Sequence, residues 1–465
     1  MKKNGAYREV DNSVVTPLAL VISPKKIYSW DYWEPAIKIA IMLCGGLLLY
    51  IAFQQELLFH NGFLFITEMD TLFARYLLMV SSFIFLGSLV FRTFLWFRYR
   101  EYDKTLVAEH EWPDTVVIVP AYNEGEMVYR TLCSIAESDY PAGRLRIISV
   151  DDGSADDTYT HMCRAQKKYP ELVEVIQFPK NRGKREGIQE ALKRGKSTFF
   201  ITVDSDTVLE PGAIKSLLTP LIKNPRVGAV TGRIRIWNQN ANLLTKMLQT
   251  NFAMAFDFTR AIQSTFSTVF CTSGAFSAYR SALLPQFLDK WLNQSFLNSR
   301  CTYGEDRSLA NFILRTGHGI VFQRTAVAYT IVPENFIKIL KMLTRWARSN
   351  IRETIVFSAI VFNSKRKGNY LLPFIEFFTS TSLLVLHFIW FYYFLFAGAM
   401  GGQYFLRLFS YTIFFGFVYI LYYARIEGAK DMPYLLVFSI FSSLFMVWIF
   451  TVAGLTIRQR SWSTR

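Results

Sequence analysis

The chain has 465 residues, which leaves room for more than one domain. Its 51% hydrophobic content, with 42 phenylalanines, requires that a membrane class be tested first, and its net charge of +15 raises either nucleic acid or an anionic membrane surface as a partner. The basic residues crowd beside apolar runs rather than along one polar stripe, which favours the lipid surface and argues against nucleic acid. Cys44, Cys133, Cys163, Cys271 and Cys301 show no paired spacing and suggest neither a disulfide framework nor a zinc site. His60, His110, His161, His318 and His387 form no ligand cluster.

Residues 1–34 are mixed and polar, with Lys2, Lys3, Lys25 and Lys26, and read as a cytosolic tail without a cleavable signal peptide. Residues 35–98 hold two apolar spans, Ala36 to Phe53 and Phe73 to Phe97. Each approaches the roughly 20 residues that a bilayer helix needs. The connector Gln54 to Thr71 carries Glu56, Glu68 and Asp70 but no Lys or Arg, whereas Arg98 and Arg100 follow the second span. The positive-inside rule therefore puts the connector outside and the Arg98 side in the cytosol.

Residues 104–330 change character. Short apolar runs alternate with polar helical patterns: strands are predicted at Val116 to Pro120, Arg146 to Val150, Val173 to Phe178 and Phe199 to Val203. Such alternation predicts a parallel sheet with crossover helices, whose polar strand ends collect along one edge. Residues 331–369 turn amphipathic, with cations and apolar residues at helical spacing from Phe336 to Arg348 and a second interfacial piece at Ile355 to Phe362. Residues 370–456 return to apolar runs, at Tyr370 to Met400, Tyr404 to Tyr423 and Tyr434 to Thr456. Simple alternation would leave the C-terminus outside, yet Arg458, Arg460 and Arg465 favour the cytosol for residues 457–465. The last run is accordingly expected to be re-entrant or broken.

Two strand ends carry paired carboxylates. Asp204 and Asp206 lie one residue apart after Phe199 to Val203, and side chains at i and i+2 of an extended chain point the same way. They either converge on one hard cation, Mg2+ or Mn2+, or form a polar turn that caps the strand. Asp151 and Asp152 end the Arg146 to Val150 strand, with Gly153 permitting close backbone approach. Helix capping is the alternative role for such a pair, but it suits Asp156 and Asp157 better.

The runs Val150-Asp151-Asp152-Gly153-Ser154, Asp204-Ser205-Asp206, Gly304-Glu305-Asp306-Arg307 and Thr344-Arg345-Trp346, in that order and flanked by spans, resemble a processive family 2 glycosyltransferase. The resemblance is greatest to hyaluronan synthases and the related chitin and chitooligosaccharide synthases, and Ser461-Trp462-Ser463-Thr464-Arg465 is similar to the Trp-Gly-Thr-Arg ending of that group. It implies an α/β domain of the GT-A type, cytosolic, joined to transmembrane helices and amphipathic interface helices in a multi-pass protein of the inner or plasma membrane. The implied reaction is an inverting transfer from UDP-sugars to a growing polysaccharide that leaves through the membrane spans. Hyaluronan, from UDP-N-acetylglucosamine and UDP-glucuronate, is the expected product. A single-sugar polymer such as chitin, or a single addition to a lipid-linked acceptor, is the alternative. No obligatory protein partner is expected.

The resemblance also assigns residues. Asp151 and Asp152 would hold the uridine, with Tyr122 flanking the base, and Lys184 and Arg185 would contact the diphosphate or else form a solvated basic turn. Asp204 and Asp206 would hold the cation, and Asp204 would also border the donor. Asp306 is the expected catalytic base, with Glu305 flanking it on the acceptor side and Arg307 holding the Asp306 carboxylate; a purely structural Asp306–Arg307 ion pair is the alternative. Trp346 would be an acceptor platform and Arg345 a diphosphate contact. Cys271, in a loop of small residues, would lie beside the acceptor or be a buried inert thiol. Trp462 and Arg465 would close over UDP. The chain departs from the family pattern at Met342, where a Gln is usual, and at Ser463, where a Gly is usual.

Overall fold

The computed structural model describes residues 34–54, 72–361, 370–398 and 403–459. Two apolar helices come first, α1 (Glu34–Gln54) and α2 (Leu72–Arg98). The chain then alternates strand and helix: β1 (Thr115–Ala121), α3 (Met127–Ala136), β2 (Leu145–Asp151), α4 (Thr158–Lys168), β3 (Val173–Gln177), α5 (Lys184–Arg194) and β4 (Phe199–Val203). It continues with β5 (Thr207–Leu209), α6 (Ala213–Lys223), β6 (Val227–Ile236), α7 (Leu243–Phe252), α8 (Thr259–Ser264) and β7 (Phe276–Arg280). Then come α9 (Leu288–Leu292), the short pair β8 (Ser295–Phe296) and β9 (Ser299–Arg300), α10 (Glu305–Arg315) and β10 (Gly319–Thr330).

The sheet has eight strands in the order β3-β2-β1-β4-β7-β6-β10-β5. The first four are parallel, as the alternation predicts, and every residue of β1 and β4 is buried, as central strands covered on both faces should be. The expectation of a parallel sheet fails beyond β4, because β7 runs antiparallel to both β4 and β6, so the sheet is mixed. The reversal comes from the long α7–α8 excursion, which brings the chain back into the sheet from its opposite end. Two apolar cores result, one on each face, with Val117, Val119 and Ile201 facing one and Val116, Ile118 and Phe200 facing the other.

The amphipathic region forms one helix, α11 (Phe336–Val361), rather than two pieces. Its Ile339, Met342, Leu343 and Ala347 face the core, while Ile337 and Trp346 are exposed. Met342 therefore fills an apolar position. Helices α12 (Leu371–Gly398), α13 (Gln403–Glu427), α14 (Tyr434–Phe441) and α15 (Val447–Leu455) follow, the last two joined through a π-helical segment at Ser442–Met446. Among the described residues three stretches are long and apolar enough to cross a membrane: Met79–Arg98, Leu371–Ile389 and Tyr434–Leu455. The Ala36 to Phe53 and Tyr404 to Tyr423 runs, expected as spans, lie within α1 and α13 and are not among these three; α1 holds only a shorter apolar stretch, Lys38–Leu48.

The Tyr434–Leu455 stretch is flanked by contacts to the α/β domain and to α11. Just before it, Glu427 accepts from Arg233 at 2.6 Å and from Arg235 at 2.7 Å, both on β6. Just after it, Arg348 of α11 donates to Thr456 at 3.0 Å and to Gln459 at 2.5 Å. Between these anchors Phe441, Ile449 and Ala453 join the same apolar core as β1 and β4. The helix thus lies along the domain.

Candidate active site

The C-terminal ends of β1, β2 and β4 meet at one edge, where open α/β sheets place their ligands. Asp151, the last residue of β2, is fully buried and accepts from the Ser154 N–H at 3.1 Å and from Gln177 at 3.3 Å. Asp152 accepts from the backbone N–H groups of Arg182 at 2.6 Å and Gly183 at 2.8 Å. Burial raises its pKa, and those two N–H groups oppose the rise. This cradle ties the Asp-Asp-Gly turn to the loop before α5. Gly153 stands at φ +74°, and a Cβ there would lie 2.6 Å from the Lys180 carbonyl carbon, so only glycine fits. Asp156, rather than Asp157, bonds the start of α4, accepting from the Thr158 N–H at 3.0 Å. Tyr122 follows β1 directly and is partly exposed at the same edge.

The Asp204–Asp206 turn is pinned by its middle residue. Ser205 is buried, its hydroxyl donates to Glu124 at 3.0 Å, and its carbonyl accepts from Thr131 at 2.8 Å. With Ser205 turned inward, Asp204 and Asp206 remain partly exposed. Asp206 also accepts from Thr330 at 3.3 Å. No local pattern marks Glu124 or Thr330, because each is brought to the turn by a different strand end. Among the described residues no group of three or more His, Cys, Asp or Glu side chains gathers as a metal site. Two carboxylates form a hard oxygen donor set that suits Mg2+ or Mn2+ only when a ligand such as a diphosphate completes it.

Lys184 and Arg185 separate. Lys184 opens α5, and its ammonium bridges Asp204 and Glu305, with the Glu305 carboxylate 2.8 Å away. Although burial would lower its pKa, the two acids raise it, so the group stays charged. Arg185 is buried in the domain, donating to the Trp291 carbonyl, to Gln294 at 3.0 Å and to Ser308 at 3.1 Å. In this arrangement Arg185 braces α5 against α9 and α10 and is not presented to a diphosphate. Periodicity could not distinguish two adjacent cations.

Glu305 and Asp306 open α10 after Gly304, which stands at φ +75°. Burial would raise the pKa of Glu305, but the charge and hydrogen bond of Lys184 overcome it and hold Glu305 at about 2. Asp306 is pushed up to about 6, by burial first and then by the Glu305 charge. Its carboxylate accepts from the Arg307 N–H at 2.7 Å and the Gly274 N–H at 3.3 Å, and its carbonyl accepts from Thr272 at 2.8 Å. The expected Asp306–Arg307 side-chain pair is absent. The Arg307 guanidinium instead binds Asn350 and, at 2.8 Å, Thr354, both on α11. Cys271 begins the loop that clamps Asp306, and burial followed by the Asp306 charge pushes its thiol up to about 12, so it is protonated and inert as a nucleophile.

Arg345 and Trp346 lie on α11. Trp346 is 37% exposed, and its ring sits 6.0 Å from the ring of Phe252. Trp462 and Arg465 lie outside the described residues, but the segment before them is held to the chain that leads into α10: the Gln459 carbonyl accepts from the Tyr303 hydroxyl at 2.8 Å and the Arg458 carbonyl from Ser299 at 3.2 Å.

The family described as "Glycosyltransferase like family 2" matches residues 113–349, which include all of these elements from β1 to Trp346. The chain belongs to that family. An N-acetylglucosaminyltransferase of Rhizobium sp. (strain N33) is 33% identical over 255 residues, covering 55% of this chain and 56% of that protein. Hyaluronan synthase 3 of Mus musculus is 32% identical over 291 residues, covering 61% of this chain and 50% of that protein. The family 2 chain thus spans little more than half the length of the curated relatives it matches. A mannosyltransferase from Pyrobaculum calidifontis, solved with GDP-Man and Mn2+, superposes with a TM-score of 0.50 at 18% identity, covering 80% of this chain and 99% of that one. At that identity it shows the fold alone, a GT-A-type mixed sheet.

Proposed function

We propose that this chain is a membrane-integrated, processive glycosyltransferase that builds a polysaccharide from UDP-sugars by inverting transfer. The observation that carries this reading is the meeting of Asp306, Lys184, Glu305 and Asp204 at the strand edge, under the loop from Cys271 to Ala275. Asp306 takes the proton of the acceptor hydroxyl as that oxygen attacks the anomeric carbon of the donor. The new glycosidic C–O bond forms as the bond to UDP breaks, and UDP leaves with the electron pair. Lys184 pairs with Glu305 and Asp204 and holds Glu305 ionised at about 2, while Asp306, raised to about 6, serves as a base of intermediate strength. Asp204 and Asp206 would hold Mg2+ or Mn2+, which supplies charge neutralisation to the departing diphosphate. The Mn2+ in the mannosyltransferase of the same fold supports a divalent ion.

Asp151 and Asp152 receive the uridine with Tyr122 beside the base. Trp346 offers a flat apolar face to the acceptor, and Arg345 serves the diphosphate. Arg185 is retained as a brace. Trp462 and Arg465 close the nucleotide side, carried there by the anchored segment Thr456 to Gln459. The catalytic domain is cytosolic, the spans cross the inner or plasma membrane and form the exit path, and Tyr434–Leu455 is a re-entrant segment that returns the tail to the cytosol.

Hyaluronan is the product that this reading favours, on the tail motif and the similarity to the mouse synthase. A second reading is supported by the N-acetylglucosaminyltransferase relatives: a polymer of N-acetylglucosamine alone. UDP-N-acetylglucosamine is a donor in both. Purified protein given UDP-N-acetylglucosamine with Mn2+ should release UDP and form oligomers or polymer. UDP release accompanied only by single additions would sink processivity.

A further inference from the structure

Arg260 stands out among the described cations. It is only 7% exposed, its Nη1 has no hydrogen-bond partner, and among the described residues no carboxylate pairs with it. The nearby acid Asp257 is taken by Arg324, at 2.7 and 3.0 Å, and by Arg233, at 3.3 Å. Burying a guanidinium without an anion is costly, so its retention calls for a partner that arrives with the substrate.

Its surroundings say which substrate. Arg260 lies in α8, immediately after the π-helical segment Ala253–Phe258, an irregularity common at functional sites. Its guanidinium sits 4.0 Å over the Phe256 ring. Phe256 stacks on Phe252 at 4.7 Å, and Phe252 meets Trp346 at 6.0 Å. At the other end the guanidinium interacts with the Cys271 thiol and feels the charge of Asp306. The ladder Trp346–Phe252–Phe256–Arg260 therefore runs from the exposed face of α11 to the base. Apolar rings with a charged donor at the reacting end form a wall suited to a sugar chain. The donor diphosphate belongs at Asp204 and Lys184, a separate set of groups that also borders Asp306.

We propose that Arg260 is an acceptor-binding residue: its buried guanidinium donates to an sp2 oxygen carried by a sugar at the reacting end of the growing glycan, held against the Phe256 side of the ladder. That oxygen is either a uronate carboxylate or an acetamido carbonyl. The inference rests on the proposed reading of the site as a glycan polymerase.

The test uses the full-length protein in lipid nanodiscs, with Arg260→Gln and Arg260→Lys. Short oligosaccharides ending in a uronate or in N-acetylglucosamine are titrated as acceptors, and the donor KM is measured separately. Arg260→Gln should raise the acceptor KM about 10- to 100-fold, as expected for loss of a hydrogen bond to a charged group, and leave the donor KM in place. It should also shorten the product. A loss confined to uronate-ended acceptors identifies the carboxylate, and one confined to N-acetylglucosamine ends identifies the carbonyl. Melting temperature and UDP binding verify folding. If Arg260→Gln does not fold, Arg260→Lys carries the test, because it keeps the charge but loses the planar fork and should still raise the acceptor KM. An unchanged acceptor KM and product length in a folded variant overturns the proposal, as does a rise in donor KM alone. If wild-type protein makes no glycan from any UDP-sugar, the reading of the whole site fails, and not merely the role of Arg260.

Discussion

Lys184 and Glu305 form an ion pair at 2.8 Å, and the same ammonium also touches Asp204. The pair joins the start of α5 to the start of α10, so one cation sets the charge of both sides of the site. Removing it would leave two carboxylates beside Asp306, and like charges raise a carboxyl pKa further. Lys184→Met should therefore cut turnover by about 100-fold or more and move the acidic limb of the pH profile upward. Steady-state rates between pH 5 and pH 9 check this. A variant with the wild-type profile would remove Lys184 from the chemistry.

Asp306 should set the wild-type pH dependence. Its pKa is raised to about 6, and only the ionised form accepts a proton. Activity should fall as pH drops through about 6, close to tenfold per unit below it. A rate that stays flat down to pH 5 would contradict the assignment.

The same shift has a stability sign. A carboxyl whose folded pKa is raised binds its proton more tightly in the folded state, so stability is lost as pH rises from the unfolded value toward about 6. At pH 7 the ionised, buried Asp306 is a cost. Asp306→Asn should thus abolish transfer by orders of magnitude, keep UDP binding, and melt at a higher temperature than wild type at pH 7. Scanning calorimetry with and without UDP checks all but the rate. A lower melting temperature would make Asp306 a structural residue.

Asp204 and Asp206 flank Ser205 in a turn rather than in extended chain, with Ser205 turned inward to Glu124. Asp206→Asn should abolish turnover and weaken metal-dependent UDP binding in a protein that still folds, since the turn is a polar edge and not core. Glu124→Gln should act more mildly, through the position of the turn. Turnover by wild type in chelator would remove the metal from the mechanism.

Arg348 fastens Thr456 and Gln459 to α11. Arg348→Ala should release the segment that leads to Trp462 and Arg465. We expect synthesis to fall strongly, with the UDP concentration needed for product inhibition raised. Deleting residues 461–465 should do the same in an inserted, folded protein. A cysteine placed at Ser463 should resist an impermeant thiol reagent in intact cells and react once the membrane is opened. Labelling in intact cells would place the tail outside and discard the re-entrant segment.

Much of this was legible from local pattern. The four parallel strands and the first two helices stand close to their predicted bounds, because buried runs and long apolar runs are local signals. The two carboxylate turns were legible for the same reason: Asp151-Asp152-Gly153 and Asp204-Ser205-Asp206 each end a strand. What depends on long-range closure was not. The antiparallel β7 follows from an excursion whose return direction no run of residues encodes. Arg185 and Arg307 were read as site cations, yet their guanidinium groups are used for packing, one on Trp291, Gln294 and Ser308, the other on Asn350 and Thr354. Lys184 bridges two acids 20 and 121 positions away, a pairing visible only once the sheet has closed. Arg260 carried no signal at all, since an arginine in a helical pattern normally reads as solvated.

The most direct test of the central claim is a donor-pairing assay. The purified full-length protein with Mg2+ or Mn2+ is offered UDP-N-acetylglucosamine and UDP-glucuronate, alone and together, and product size is read before and after hyaluronan- and chitin-specific hydrolases. The account predicts long polymer that needs both donors and yields to the hyaluronan-specific enzyme. Polymer from UDP-N-acetylglucosamine alone, cut by the chitin-specific enzyme, would keep the polymerase and replace its product. No glycan and no UDP release from any UDP-sugar, by protein that binds UDP and is folded, would contradict the account.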